Sequence, residues 1–141
     1  MDPLSLAFGV AGLMSLTLEL TKLVSTYTGS VRQASTESQE LAVELSALSH
    51  VLEKLERFLS NQDAVYNTFD NTSILYSTVH TCHGKLNLLK SILEKYMKTS
   101  EGRKWYRSLV WPLKGVNHVQ TVGTLRRCVQ IFQFSLTVDG W

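Results

Sequence analysis

Two histidines and a cysteine near the middle of the chain offer the most obvious chemistry. His80 and His83 stand three residues apart, so a helix would place both rings on one face, where two imidazoles can share a metal ion. A stable site needs further ligands, and the sequence contains no HExxH or CxxC spacing that would supply them. Cys82 also fits a run of regularly spaced apolar residues. We therefore predict a structural role for this cluster, with no metal and no cofactor.

The motifs of common enzymes are missing from the sequence. There is no G-x-S-x-G nucleophile elbow and no G-x-x-x-x-G-K-[ST] phosphate loop. Gly9 and Gly12 form a Gly-x-x-Gly step, but it lies inside an apolar helical segment that no strand precedes, so it is not a dinucleotide fingerprint. We predict that the protein is not an enzyme and that no residue is catalytic.

A basic and aromatic cluster in the second half of the chain is a candidate anion-binding surface. Its basic members are Arg103, Lys104, Arg107 and Lys114, and its rings are Trp105, Tyr106 and Trp111. Trp and Tyr anchor proteins at membrane interfaces while Lys and Arg meet phosphate, so contact with lipid headgroups is one interpretation. Nucleic-acid binding is a second, and we do not expect it. In the third, the rings cap the core and the charges are solvated.

The charges are distributed unevenly between the two halves of the chain. Residues 1–84 contain four basic and nine acidic residues, a net charge of −5, whereas residues 85–141 contain ten and three, a net charge of +7. A basic half attracts anionic lipid or nucleic acid. The two halves could instead pair with each other inside one bundle, and the sequence leaves both alternatives open.

The first helical segment carries the sharpest functional signal. From Pro3 to Leu18 there are sixteen residues without a charge. The large apolar residues of this stretch surround the helix rather than following one stripe, and they are the candidate membrane-interacting residues: Leu4, Leu6, Phe8, Val10, Leu13, Met14, Leu16 and Leu18. A helix that is apolar on all sides is either buried at the centre of a protein or meets lipid.

The length of this segment limits how it could enter a membrane. At 1.5 Å per residue, sixteen residues extend about 24 Å, which is shorter than the roughly 30 Å hydrocarbon core of a bilayer. We expect partial insertion, or spanning in an assembly that thins the bilayer. Gly9, Gly12 and Ser15 form a small face that would permit close helix contact. The same helix could be buried at rest and released on activation.

Four long helical segments must position these residues. The first runs from Pro3 to about Thr28, and the second follows the Ser35–Ser38 cluster and ends near Ser60. The third spans about Ser73 to Lys98, and the last main helix runs from about Gly115 to Thr137, after a short helix over 103–110. The predicted fold is an all-α bundle of four main helices plus this short one, in a single domain over residues 1–141 that forms the N-terminal part of a longer protein.

Apolar residues at alternating spacings of three and four define the predicted core. The seams are Leu41, Leu45, Leu48, Leu52, Leu55 and Leu59 in the second helix, and Leu75, Val79, Cys82, Leu86, Leu89, Leu93 and Tyr96 in the third. In the last helix they are Val119, Val122, Leu125, Cys128, Phe132 and Leu136. Val65, Tyr66 and Phe69 are expected to pin the long loop, and Gly84 predicts close helix packing or a mild bend. Both cysteines are expected to be free thiols.

Several motifs together resemble a known family. Met-Asp-Pro-Leu-Ser at 1–5, followed by Val10-Ala11-Gly12-Leu13, resembles the opening of the HeLo-like N-terminal domain of fungal STAND (NOD-like receptor) and cell-death proteins. Trp111-Pro112-Leu113-Lys114 and the closing segment at 134–139 resemble the Trp-Pro-(Phe/Leu)-Lys segment and last helix of that family. The similarity covers nearly the whole chain. Relatives include the HeLo domain of heterokaryon incompatibility and, more distantly, the four-helix domain of mixed-lineage kinase domain-like protein.

The resemblance implies a function in programmed cell death within fungal innate immunity. Such domains oligomerise when triggered, often by amyloid templating, then move from the cytoplasm to the plasma membrane and permeabilise it by a pore-forming action. The resemblance assigns that role to Leu4 through Leu18. Implied partners are membrane lipids, further copies of the domain, and an upstream NOD-like receptor or amyloid-signalling partner. The alternative is a non-lytic scaffold for self-association or docking in a STAND receptor, through any exposed part of the heptad seams. Amyloid-forming repeats are absent from these 141 residues.

Overall fold

Four α-helices make up almost all of the chain that the structure describes. The computed structural model describes residues 3–30, 35–60, 72–100 and 111–139, with side chains over 6–29, 35–60, 74–96 and 111–137. The helices are α1 (Pro3–Ser30), α2 (Thr36–Ser60), α3 (Thr72–Ser100) and α4 (Gly115–Asp139). Within these ranges no strand occurs, and the predicted all-α bundle is confirmed. The short helix predicted over 103–110, and the loop residues Val65, Tyr66 and Phe69, lie outside the described residues.

Local sequence signals explain where the helices begin. Pro3 stands at the first position of α1, where its missing N–H costs no hydrogen bond. Ser35 caps α2, because its hydroxyl accepts a 3.1 Å hydrogen bond from the Ser38 amide. Helix α2 therefore begins inside the cluster that we expected to precede it. Gly115 opens α4 with a φ of +57°, a left-handed conformation that glycine adopts without strain.

The helices form a four-cornered bundle in which α1 and α4 are diagonal. Helix α1 packs against α2 and α3, and α4 packs against the same two helices. Gly9 faces Val79 and Glu19 pairs with Lys90, so α1 and α3 run parallel. Helices α2 and α4 run the opposite way. We call the end of the bundle that holds the starts of α1 and α3 and the ends of α2 and α4 the lower end.

Both predicted heptad seams are buried between the helices. All six leucines of the α2 seam are buried, and the α3 seam is buried except for the half-buried Tyr96. Each fully buried leucine contributes about 1.5–3 kcal/mol relative to an exposed one. Because both seams are buried inside one bundle, they offer no exposed apolar stripe to which a second protein could bind.

One packing prediction is wrong, and one of the two alternatives for Gly84 is excluded. Val119 is 67% exposed, because the buried stripe of α4 runs through His118, Val122 and Leu125, and position 119 lies about 100° away around the helix. Gly84 does not mark close packing, since a Cβ added there would meet nothing within 4 Å. The close approach occurs instead at Gly9, where an added Cβ would lie 3.3 Å from the Val79 Cγ1 atom.

Candidate membrane-contact surface

Helix α1 has one buried face and one exposed face. The buried stripe repeats at spacings of three and four and consists of Leu6, Val10, Leu13, Leu16, Thr17, Leu20, Val24 and Tyr27. Four of the candidate membrane residues therefore point into the core. Met14 is half-buried against Ser49 of α2, and the side chain of Leu4 lies outside the described residues. These four share one buried stripe, whereas Phe8 and Leu18 lie outside it, so the prediction that the apolar residues surround the helix is confirmed.

The exposed face of α1 is the surface that membrane contact would use first. Phe8 is 69% exposed and Leu18 is 52% exposed. The positions between them on this face are the small residues Ala11, Gly12 and Ser15, all exposed. No charge interrupts the face from Phe8 to Leu18. Phe8 and Leu18 lie ten residues, about 15 Å, apart on this face, with small uncharged residues between them, so the face is a candidate contact surface.

By length and composition, α1 is apolar enough to cross a membrane. Within the described residues one helix has this property, over Leu6–Gly29, with a mean hydropathy of 1.4. One-third of that window (33%) is buried in the bundle. A core helix of a soluble protein has a similar composition, so the exposed face at Phe8 and Leu18 is the more informative feature.

Several threonine hydroxyls of α1 donate hydrogen bonds within the helix itself. The buried hydroxyl of Thr17 donates to the Leu13 carbonyl at 2.8 Å. Thr21 donates to the Thr17 carbonyl at 2.8 Å, and Thr26 to the Lys22 carbonyl at 2.9 Å. A helix in lipid must satisfy its polar groups internally, because the hydrocarbon offers no partners. These three hydroxyls would keep their hydrogen bonds if α1 left the bundle.

Among the described residues, one ion pair and one contact between aromatic rings tie α1 to the rest of the bundle. The Glu19 carboxylate pairs with the Lys90 ammonium at 2.6 Å, and this hydrogen bond raises the pKa of Lys90. The pair is partly exposed, so solvent screening keeps its contribution to stability small. The Tyr27 ring packs against Trp111 with 4.6 Å between centroids and a tilt of 52°. Apolar packing therefore supplies most of the attachment of α1 to the bundle.

The basic and aromatic cluster is only partly described. Arg103, Lys104 and Arg107 lie outside the described residues, whereas Lys114 is exposed. Trp111 is 2% exposed, so for this ring the interpretation that it caps the core is confirmed. Its indole N–H is buried without a hydrogen-bond acceptor among the described atoms.

Charged residues of the two halves pair across the bundle. The Arg126 guanidinium donates to the Glu44 carboxylate at 2.8 Å, and His118 Nε2 lies 2.9 Å from Glu40. Both contacts join acidic α2 to basic α4, and the Glu19–Lys90 pair joins α1 to α3 in the same sense. Among the described residues, the Arg126–Glu44 and Lys90–Glu19 pairs therefore neutralise part of the charge asymmetry within the bundle, as one of the two alternatives expected.

The residues of the His-Cys-His cluster point in different directions. His80 and His83 are exposed, and His83 Nδ1 lies 3.0 Å from the Asn87 amide. Cys82 is buried towards Cys128 of α4, and both thiols are free, as predicted. In the part of the chain that the structure describes, no group of three or more His, Cys, Asp or Glu is arranged to hold a metal.

The two buried thiols influence each other. The hydrogen bond between them raises the pKa of Cys82, and burial acts in the same direction. That hydrogen bond lowers the pKa of Cys128, where burial opposes the effect and Arg127 adds to it. A buried thiol that stays protonated reacts slowly, so Cys82 behaves as a core residue.

The structure also contains a groove that the sequence analysis did not find. Helices α3 and α4 enclose it near the lower end, with a volume of about 360 Å³. It is lined by Ile74, Arg127, Gln130, Ile131, Phe134 and Ser135. Phe134 lies off the buried stripe that contains Phe132, and this was the one signal in the sequence that could have indicated a surface role.

The comparison with protein families assigns the chain to a family. The sequence model described as pigment biosynthesis cluster protein PigL N-terminal matches residues 1–117. The chain belongs to this family. It is a fungal family of helical domains, and the match covers α1, α2 and α3 and ends in the first turn of α4. No curated protein and no solved structure matches the chain.

Proposed function

We propose that this domain is a membrane-targeting cell-death effector in which α1 moves from the bundle into the bilayer. The observation that carries the proposal is the uncharged outer face of α1, with Phe8 and Leu18 exposed. Membership in a fungal family of helical domains supports the HeLo-like assignment. The partners in this proposal are membrane lipids and further copies of the domain, and the protein moves from the cytoplasm to the plasma membrane on activation.

The energetics of α1 favour a direct exchange of protein for lipid. Exposing its buried side chains to water costs about 1.5–3 kcal/mol each, so for the six large aliphatic residues the total is roughly 9–18 kcal/mol. That cost exceeds the whole stability of many domains of this size, which is about 5–15 kcal/mol. Lipid tails are as apolar as the core, so transfer into a bilayer avoids this cost for the side chains that enter the hydrocarbon. The outer face, now in water, would gain burial in addition.

The charged residues of α1 set the depth of insertion. Glu19 and Lys22 follow the uncharged stretch directly. A charge at the centre of a bilayer costs about 2.5–3.5 kcal/mol even on the most lenient scale. We therefore expect the segment up to Leu18 to enter the hydrocarbon and the remainder of α1 to stay at the headgroups.

Vesicle leakage with surface variants tests the proposal. Phe8→Glu and Leu18→Glu each place a carboxylate on the outer face of α1, and Val43→Glu makes the same change at a 66% exposed site on α2. We expect the first two variants to lose leakage of anionic vesicles and the third to retain it. Leu13→Glu is unsuitable, because Leu13 is fully buried and the change would unfold the bundle. Equal leakage by the wild type, Phe8→Glu, Leu18→Glu and Val43→Glu would refute the proposal.

A non-lytic scaffold is the second candidate, and one observation favours it. The outer face of α4 exposes Val116, Val119 and Phe134 on the side of the bundle opposite α1. This face could join copies of the domain without lipid. Stable oligomers in light scattering that never float with vesicles would favour the scaffold over the membrane effector.

A further inference from the structure

The groove between α3 and α4 has the size of a small-ligand site. Its volume of about 360 Å³ lies at the lower end of the roughly 300–1,000 Å³ that ligand sites span. Ile74 of α3 and Ile131 and Phe134 of α4 form its apolar walls. Two of these side chains are unusually accessible, since Ile74 is 49% exposed and Phe134 is 62% exposed. The walls therefore offer apolar surface that the described residues leave uncovered.

A cation stands beside these walls. Arg127 lines the groove and is exposed, and it has no carboxylate partner among the described residues. The adjacent Arg126 differs, because Glu44 holds its guanidinium at 2.8 Å. The other polar groups of the lining are the uncharged side chains of Gln130 and Ser135. An available guanidinium next to apolar surface complements a ligand with an anionic head and a hydrocarbon tail.

The groove lies at the same end of the bundle as the start of α1. Gly9 of α1 is level with Val79 of α3, and Ile74 is five residues, about 7.5 Å, nearer the lower end. Phe134, from the last turns of α4, lines the groove together with Ile74. Three exposed apolar side chains, Phe8, Ile74 and Phe134, therefore lie in the lower part of the bundle, with Phe8 and Phe134 on diagonal helices.

We propose that this groove binds an anionic membrane phospholipid, with one acyl chain along Ile74, Ile131 and Phe134 and the phosphate at Arg127. The inference deepens the proposed membrane function and rests on it. A lipid held there brings the lower end of the bundle against the bilayer. That orientation directs the uncharged start of α1 towards the hydrocarbon before the helix leaves the bundle.

Vesicle binding by the full chain tests the groove. We expect Arg127→Gln and Phe134→Ser each to weaken binding to phosphatidylserine-containing vesicles about tenfold, the effect of losing one charge-assisted hydrogen bond or one buried ring edge. Lys54→Gln removes an equal charge from the exposed surface of α2, outside the groove, and should change binding less than twofold. Equal loss in Arg127→Gln and Lys54→Gln would overturn the proposal, because general charge would then explain the binding.

A soluble amphiphile separates this inference from the function of α1. Dodecyl phosphate below its micelle concentration should bind the wild type in calorimetry. Its affinity for Arg127→Gln should be about tenfold lower, and its affinity for Phe8→Glu should equal that for the wild type. Dodecylphosphocholine should bind more weakly than dodecyl phosphate, because its headgroup has no net charge. The proposed lipid site would be refuted if inorganic phosphate bound as tightly as dodecyl phosphate, or if neither compound bound. If Phe8→Glu causes as much vesicle leakage as the wild type while dodecyl phosphate still binds, the function proposed for α1 is refuted and ligand binding in the groove is supported.

Discussion

Locking α1 to α3 is the most direct test of whether the helix must leave the bundle. A Cβ built on Gly9 lies 3.3 Å from the Val79 Cγ1 atom. Because Cγ1 is one bond from its own Cβ, the two Cβ atoms come within reach of the roughly 3.5–4.5 Å that a disulfide requires. The double variant Gly9→Cys and Val79→Cys should therefore form a bridge between the two helices. Cys82 and Cys128 are replaced by alanine so that only the new pair can oxidise.

The expected size of the effect follows from the length of the closed loop. Residues 9 and 79 enclose about seventy residues, and the chain-entropy model gives roughly 4 kcal/mol of stabilisation for a loop of that length. The oxidised protein should unfold at clearly higher denaturant concentration than the reduced protein. This comparison also shows that the bridge has formed without distorting the helices.

Vesicle leakage by the two redox forms gives the decisive measurement. If α1 enters the bilayer, the oxidised protein should not cause vesicles to leak. A reductant should restore leakage to the level of the parent protein in which Cys82 and Cys128 are alanine and no new cysteine is present. The Gly9→Cys single variant controls for the loss of glycine. If the oxidised protein is more stable and leaks as fast as the reduced one, α1 does not need to leave α3, and the release mechanism is wrong.

Two further predictions concern stability. Gly12→Ala should raise the free energy of unfolding by about 0.5–1 kcal/mol in chemical denaturation, since Gly12 is exposed, has open space for a Cβ and gains helix propensity. Gly9→Ala should gain clearly less, because its methyl would press on α3, and an equal gain would contradict the close approach. Burial raises the pKa of Tyr27 above its ordinary 10.0, so the neutral form is favoured in the folded state. The stability that the neutral Tyr27 contributes is fully present below pH 10 and is lost as pH rises through the folded pKa. Tyr27→Phe should not show this loss at high pH, and thermal melts across that range measure the difference.

The amino-acid sequence by itself determined the four long helices and two of the four core faces. The seams of α2 and α3 alternate large apolar residues with charged ones at spacings of three and four, so only one face of each helix could be buried. The resemblance to a fungal family of helical domains was also readable, because the motifs that carry it are local. The sequence further indicated that α1 carries no charge before Glu19.

The orientation of α1 and the groove were decided only by the tertiary structure. An apolar residue faces every side of α1, so its periodicity carries no information about which side meets the core. Contact with α2 and α3 buries Leu13 and leaves Phe8 outside. In α4 a similar ambiguity led to the wrong assignment of Val119. The groove needs Ile74 and Phe134, sixty residues apart in the chain, and only the packing of α3 against α4 brings them together.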